Sequence, residues 1–183
     1  MGLLTNYKLS DFTGVRLNKF IKLQLFKYFR FDRDYIFVCS EGINNADINA
    51  INNKNLVEVE IKTSKSDFLK EFDKKSKIKK LKHSRYNKKL TYKNYIIPNY
   101  FYFCVPEDLK RFVETYLKES GYTSYGILII KEKRIFNHKS HIEVYKKAKR
   151  LHTKPPTLNI FYKIGKRVES EMCNLYEKIV NLI

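Results

Sequence analysis

Between residues 15 and 130 the spacing of apolar side chains switches repeatedly between a helical and an extended period, and that succession restricts the chain to a mixed α/β architecture. Leu17, Phe20, Ile21, Leu25 and Tyr28 recur at helical spacing over residues 15–29, with only Gln24 out of pattern, and predict an amphipathic helix. The charged turn Asp32-Arg33-Asp34 gives way to an apolar run over 35–39, a strand, and residues 40–45, with Gly42 and two Asn, turn the chain back. Two further strands are expected over 46–51 and 56–61, joined through the polar Asn52-Asn53-Lys54-Asn55 turn as a hairpin or meander.

After Lys62 the period lengthens again. Phe68, Leu69 and Phe72, with a weaker continuation toward Ile78 and Leu81, predict a helix, and Ser64 three residues before Asp67 forms a capping box at its start. Residues 100–105 are almost wholly aromatic or β-branched and predict a central strand ended by Pro106. Glu107-Asp108 opens a helix carrying Leu109, Phe112, Val113, Tyr116 and Leu117, which Gly121 ends before Gly126 introduces another buried strand over 127–130. Residues 133–136 read as a short edge strand. Beyond a basic stretch over 139–154 and the Pro155-Pro156 break, an apolar stripe from Ile160 through Ile164, Val168, Met172, Leu175 and Ile179 to Val180 predicts a docking helix.

The charge narrows the function. Lys and Arg number 37 against 19 Asp and Glu, a net +18 that favours a phosphate-bearing partner. Lys-rich and Asn-rich usage without Trp also fits an A+T-rich coding background, so charge alone does not decide. Cys39, Cys104 and Cys173 are an odd number without CxxC spacing, which argues against a disulfide framework and a thiolate zinc site. His138 and His141 lack a neighbouring acid pattern that would make them ligands, and His152 is distant. No apolar stretch approaches the roughly twenty residues that span a bilayer, and the N-terminus lacks the pattern of a secretory signal. No membrane association is expected, and the cytoplasm or another reducing compartment holding nucleic acid is the expected location.

Asp47 stands near the start of one strand, and Glu60 and Lys62 flank Ile61 on the next, where the period of two puts both polar side chains on one face. Carboxylates on neighbouring strands can converge on a divalent cation, and Mg²⁺ fits hard oxygen ligands while keeping waters and bridging a phosphate. Mn²⁺ is expected to substitute. A nearby ammonium offsets charge on the transferring group or orients water. Glu58 shares the face of Glu60 and is either a further carboxylate or an exposed position along the strand; Glu41, in the preceding turn, is an outer candidate. Ser64 and Asp67 read as a helix cap, not as a nucleophile and a ligand.

In the combination of Asp47 within Ala46-Asp47-Ile48, Glu60-Ile61-Lys62, the helix start Ser64 to Phe68 and the strand Phe101 to Pro106, the chain resembles the PD-(D/E)xK, or restriction-endonuclease-like, nuclease superfamily. It is most similar there to small bacterial and phage members related to a DNA-repair family, in which an E-h-K strand precedes an S-x-x-D-F helix start and an FYF-h-VP strand. The likeness covers residues 15–130. It implies an αβββαβ core with a mixed sheet flanked by helices, Mg²⁺-dependent hydrolysis of DNA phosphodiesters, and catalytic roles for Asp47, Glu60 and Lys62, the first two on the metal. Ala46 stands where the superfamily usually has proline, and the first helix lacks the acid that some relatives use as an additional ligand.

The expected organisation is therefore a nuclease-like core over 11–137 and a basic helical extension over 138–183 packed on it. Lys65, Lys74, Lys75, Lys79, Lys80, Lys82, Arg85, Lys88 and Lys89 are the expected nucleic-acid contacts, and Tyr86, Tyr92 and Tyr95 near them either stack on unpaired bases or pack beneath a long loop. DNA is the expected partner and RNA stays open beside it, as do a homodimer and a protein partner. Two other readings compete: a noncatalytic nucleic-acid-binding module on the same fold, and a basic interaction or inhibitory factor that contacts an acidic protein.

Overall fold

The computed structural model describes residues 9–73, 91–92, 95–132 and 140–181. Helix α1 (Gly14–Lys27) runs into a π-helical turn over Tyr28–Asp32 and then strand β1 (Phe37–Cys39). Strands β2 (Ile48–Ile51) and β3 (Leu56–Ile61) follow, then α2 (Lys65–Asp73), a separate two-stranded ribbon of β4 (Thr91–Tyr92) and β5 (Tyr95–Ile96), and β6 (Tyr100–Pro106). A 3-10 turn (Glu107–Leu109) leads into α3 (Lys110–Glu119), and β7 (Gly126–Ile130), β8 (Ile142–Lys146) and the long α4 (Leu158–Val180) complete the chain.

The main sheet is six-stranded, in the order β1-β2-β3-β6-β7-β8. Strands β1, β2 and β3 form an antiparallel meander, β6 lies parallel to β3 and β7 parallel to β6, and β8 closes the edge antiparallel to β7. The parallel strands β3 and β7 are buried on both faces, which is why β7 reads as a continuous apolar run, while β3 buries Glu58 and Glu60 between its apolar residues.

Alternation along these strands divides the core into two layers. Val57, Val59, Ile61, Cys104, Leu128 and Ile130 pack against Ile21, Leu25, Tyr28 and Phe29 from α1 and the turn after it. On the other face Phe101, Phe103, Val105, Ile127 and Ile129 meet Phe68 of α2 and Val113 and Leu117 of α3. Gln24, the residue out of pattern in the α1 stripe, is buried because its Oε1 accepts the His141 N–H at 3.1 Å, which ties α1 to the start of β8.

The segment over 138–183 departs from the helical extension expected for it, because it contributes β8 to the sheet before α4 begins. Helix α4 does dock, but over its first half: Ile160, Phe161, Ile164 and Val168 cover Cys39, Ile43, Ile51 and Leu56. Met172, Leu175, Tyr176, Ile179 and Val180 continue the stripe and are exposed. The expected edge strand over 133–136, the continuation of α2 toward Ile78 and Leu81, and the stacking residue Tyr86 lie outside the described residues. Among the described residues no helix is long and apolar enough to cross a membrane.

Candidate functional site

The pairing of Ile48 with Val59 fixes the register of β2 on β3, and one further step brings Asp47 opposite Glu60. Here β2 leaves the ladder. The Asp47 Oδ2 accepts the Ile61 N–H at 2.8 Å, so a side-chain carboxylate takes up a main-chain donor where the strands part. The Ala46 carbonyl instead accepts the Glu41 N–H at 2.8 Å, closing the turn between β1 and β2. Glu41, Asn44 and Asn45 all hold left-handed backbone in that turn, a conformation that Asn tolerates and Glu adopts at a cost. Gly42 is needed there for space: a Cβ on it would lie 2.6 Å from the Cys39 Sγ and 3.0 Å from the Asn49 Oδ1.

Two ammonium groups stand beside the carboxylates. From α1, the Lys22 Nζ lies 3.6 Å from the Asp47 Oδ1 and 3.6 Å from the Glu41 Oε1. Lys62, just past the end of β3, sits 3.7 Å from the Glu60 Oε2 and donates to the Glu71 Oε2 of α2 at 2.7 Å. Glu60, Lys62 and Glu71 are all buried. Burial pulls the Lys62 pKa down, but the bond to Glu71 and the charges of Glu71, Glu60 and Asp67 outweigh it and leave the pKa above the ordinary lysine value. Lys62 is therefore a fixed cation at neutral pH, not a proton acceptor.

Helix α2 owes its position to the cap read from the sequence. The Ser64 Oγ accepts the Asp67 N–H at 3.1 Å, and the Asp67 Oδ2 accepts the Thr63 N–H at 3.4 Å. Phe68 then anchors the helix in the core, and Glu71, bracketed by Phe68 and Phe72 on the inward stripe, faces Lys62. Sequence reasoning missed Glu71, although an acid within a buried helical stripe was its available signal. Lys22 was missed too, because a lysine on the margin of an amphipathic helix is ordinary.

Glu58 is fully buried, not exposed as one reading of its strand position allowed. The Asn44 Nδ2 donates to its Oε2 at 2.7 Å, and the same amide side chain bonds both ways with the Ile96 backbone, so Glu58 ties the turn to β5. Glu41 lies beside Asp47 through the shared Lys22, and Arg167 of α4 approaches it at 3.7 Å. Lys65 is exposed at the start of α2 with its ammonium over the Phe112 ring. Lys74, Lys75, Lys79, Lys80, Lys82, Arg85, Lys88 and Lys89 lie outside the described residues.

The fold is shared. SPO1766, a protein of unknown function from Silicibacter pomeroyi, has a similar solved structure, with a TM-score of 0.50 and 12% identity over 85% of this chain and 86% of that one. At that identity the likeness is one of fold alone. No protein-family model matches the sequence, and no curated protein does.

Among the described residues no three His, Cys, Asp or Glu side chains gather as ligands for a metal ion. The Asp47 carboxylate lies against the Glu60–Ile61 peptide with Lys22 of α1 beside it, whereas Glu60 contacts Lys62, which bonds Glu71 of α2; both carboxylates are hard oxygen donors. Among the described residues, the ion pairs that reach them join the carboxylates of Glu41, Asp47, Glu60 and Glu71 to the cations Lys22, Lys62 and Arg167. That donor set fits Mg²⁺, which is commonly held by one or two carboxylates and keeps several waters, and does not fit a zinc-type site of nitrogen and sulfur.

Proposed function

We propose that the chain is a divalent-cation-dependent DNA nuclease of the PD-(D/E)xK type. The observation that carries this reading is the bond from the Ile61 N–H to Asp47, which holds one carboxylate against the peptide that follows the other, with Lys62 next along the chain. The element order supports it: α1, a three-stranded meander, α2 and a strand parallel to β3 is the αβββαβ succession that the restriction-endonuclease-like resemblance implies.

Asp47 and Glu60 would hold Mg²⁺ or Mn²⁺, which when bound supplies charge stabilisation at the phosphoryl group and an ionised water. The protein's own part is placement. Asp47 is fixed by a main-chain bond and Lys62 by Glu71, so neither has to be ordered when substrate arrives. Lys62, held protonated, offsets negative charge that develops on the phosphate, and Lys22 does the same service for Asp47 and Glu41 in the unloaded site.

A cleavage panel with duplex, single-stranded and branched DNA in Mg²⁺ or Mn²⁺ tests the reading. Asp47→Asn and Glu60→Gln should each lower cleavage by about a hundredfold or more while circular dichroism stays unchanged. Full activity in both variants would reject the assigned site. One observation favours a second reading, a noncatalytic nucleic-acid-binding module: Lys62 is buried and bonded to Glu71, as a structural ion pair would be. That reading predicts salt-sensitive binding with no cleavage of any DNA form.

A further inference from the structure

A cavity of about 380 Å³ opens on the α1 face of the sheet, in the size range of about 300–1,000 Å³ usual for small-molecule sites. It lies toward the start of β3 and β6, where Val57 pairs with Tyr100, whereas Glu60 and Lys62 stand at the far end of β3. Its walls are rings: Tyr28 and Phe29 from the turn after α1, Tyr100 and Tyr102 from β6. The Tyr102 ring lies over Gly126, where a Cβ would come within 2.2 Å of it, so the sheet itself makes room for that wall.

The mouth is cationic. Arg33 and Lys147 line it, and the Arg33 Nε donates to the Tyr28 hydroxyl at 2.8 Å with its guanidinium over the Tyr28 ring. Beside it Arg150 lies over Tyr100 and donates to the Asn55 Oδ1 at 2.8 Å. Among the described residues no acidic side chain lines the cavity, and the neighbouring acids are engaged elsewhere: Asp32 accepts the Ser140 hydroxyl and Asp34 faces Arg30. Burial pushes the Tyr35 phenol up to about 12 and raises those of Tyr28 and Tyr102, so all three stay neutral O–H groups at physiological pH and repel no anion. Among the described residues no side chain bonds the hydroxyl of Tyr35 or Tyr100, which leaves polar groups at the ring edges for a ligand.

Planar faces with phenol edges, rimmed by two guanidinium groups and a lysine, suit a flat heterocycle that carries an anion. We propose that this cavity binds a nucleoside phosphate unit, its base among the tyrosine rings and its phosphate at Arg33 and Lys147. The unit is either a free nucleotide or an unpaired residue of a nucleic-acid strand. The site shares no residue with Asp47, Glu60 and Lys62, so it stands or falls apart from the cleavage reading.

Calorimetric titration of the full chain with dAMP, dTMP, inorganic phosphate and a 5′-phosphorylated oligothymidine separates these sources. A nucleotide should bind at least about tenfold more tightly than phosphate, because stacking adds to the ionic contact. Tyr100→Leu and Lys147→Gln should each weaken that binding by about fivefold or more, while Asp47→Asn leaves it unchanged. Binding of the mononucleotides identifies a free nucleotide as ligand, and binding of the oligonucleotide alone identifies a strand. Absence of binding by every nucleotide, phosphate binding as tightly as dAMP, or affinity indifferent to both cavity variants would overturn the proposal.

Discussion

Lys62 and Glu71 form a buried ion pair whose worth depends on keeping both charges together. Removing one partner strands the other away from water, a loss of about 3–5 kcal/mol, whereas a neutral pair of similar shape costs far less. Lys62→Met alone should therefore destabilise the chain by that amount in urea unfolding, and Lys62→Met with Glu71→Gln should recover most of it. If the double variant regains stability and still fails to cleave DNA, Lys62 acts in the chemistry as well as in the fold. The raised Lys62 pKa means that the folded chain binds this proton more tightly than the unfolded one does. Its contribution is thus complete below the ordinary lysine value of about 10.4 and fades as pH rises through the folded value. The stability difference between wild type and Lys62→Met should hold constant from neutral to mildly alkaline pH and shrink above that; a difference that grows with pH would contradict the assignment.

At the scale of elements, β6, β7 and the backbone just past β8 crowd one position. Tyr102 pairs with Gly126 across the parallel ladder, and a Cβ at Gly126 would lie 2.2 Å from the Tyr102 Cε1 and 2.7 Å from the Ala148 amide nitrogen. A backbone atom cannot step aside as a flexible side chain would, so Gly126→Ala should cost about 1–3 kcal/mol, read as a lower urea midpoint. An unchanged midpoint would mean that the backbone at Ala148 yields freely. The same strands show what a sequence can and cannot carry. The apolar body of β7 was legible because both faces are buried and the run is unbroken, and β3 because Val57, Val59 and Ile61 alternate with Glu58 and Glu60 at a period of two. Strand β8 was not, because an edge strand is covered on one side only, its register slips by a bulge opposite Ile127 and Leu128, and its Lys146 merges with the basic stretch that follows. Within the candidate site, the strand placement of Glu60 was legible through the period of two, and that of Asp47 from the apolar run that follows it. Glu71 and Lys22 were not, since each acts on the site from a helix whose placement depends on tertiary packing.

For the whole molecule, the overall charge and the candidate site contrast: the chain carries +18, yet among the described residues the carboxylates of Glu41, Asp47, Glu60 and Glu71 cluster with Lys22 and Lys62. In the proposed reading a polyanion is drawn to the surface as a whole, while the carboxylates of the site would take a small cation between them and a phosphate. If the surplus lysines serve DNA, binding must release condensed counterions, and about six phosphate contacts would cut affinity roughly a thousandfold between about 50 and 200 mM salt. Asp47→Asn, bound to duplex DNA without divalent metal, isolates this effect from cleavage and should show the same steep log–log slope of about −5 as wild type. A slope shallower than about −2 would assign the positive surplus to coding background instead of a nucleic-acid surface. The variant's unchanged slope is the informative half of the measurement, because it separates what the surface does to any phosphate backbone from the cleavage proposed for the carboxylates.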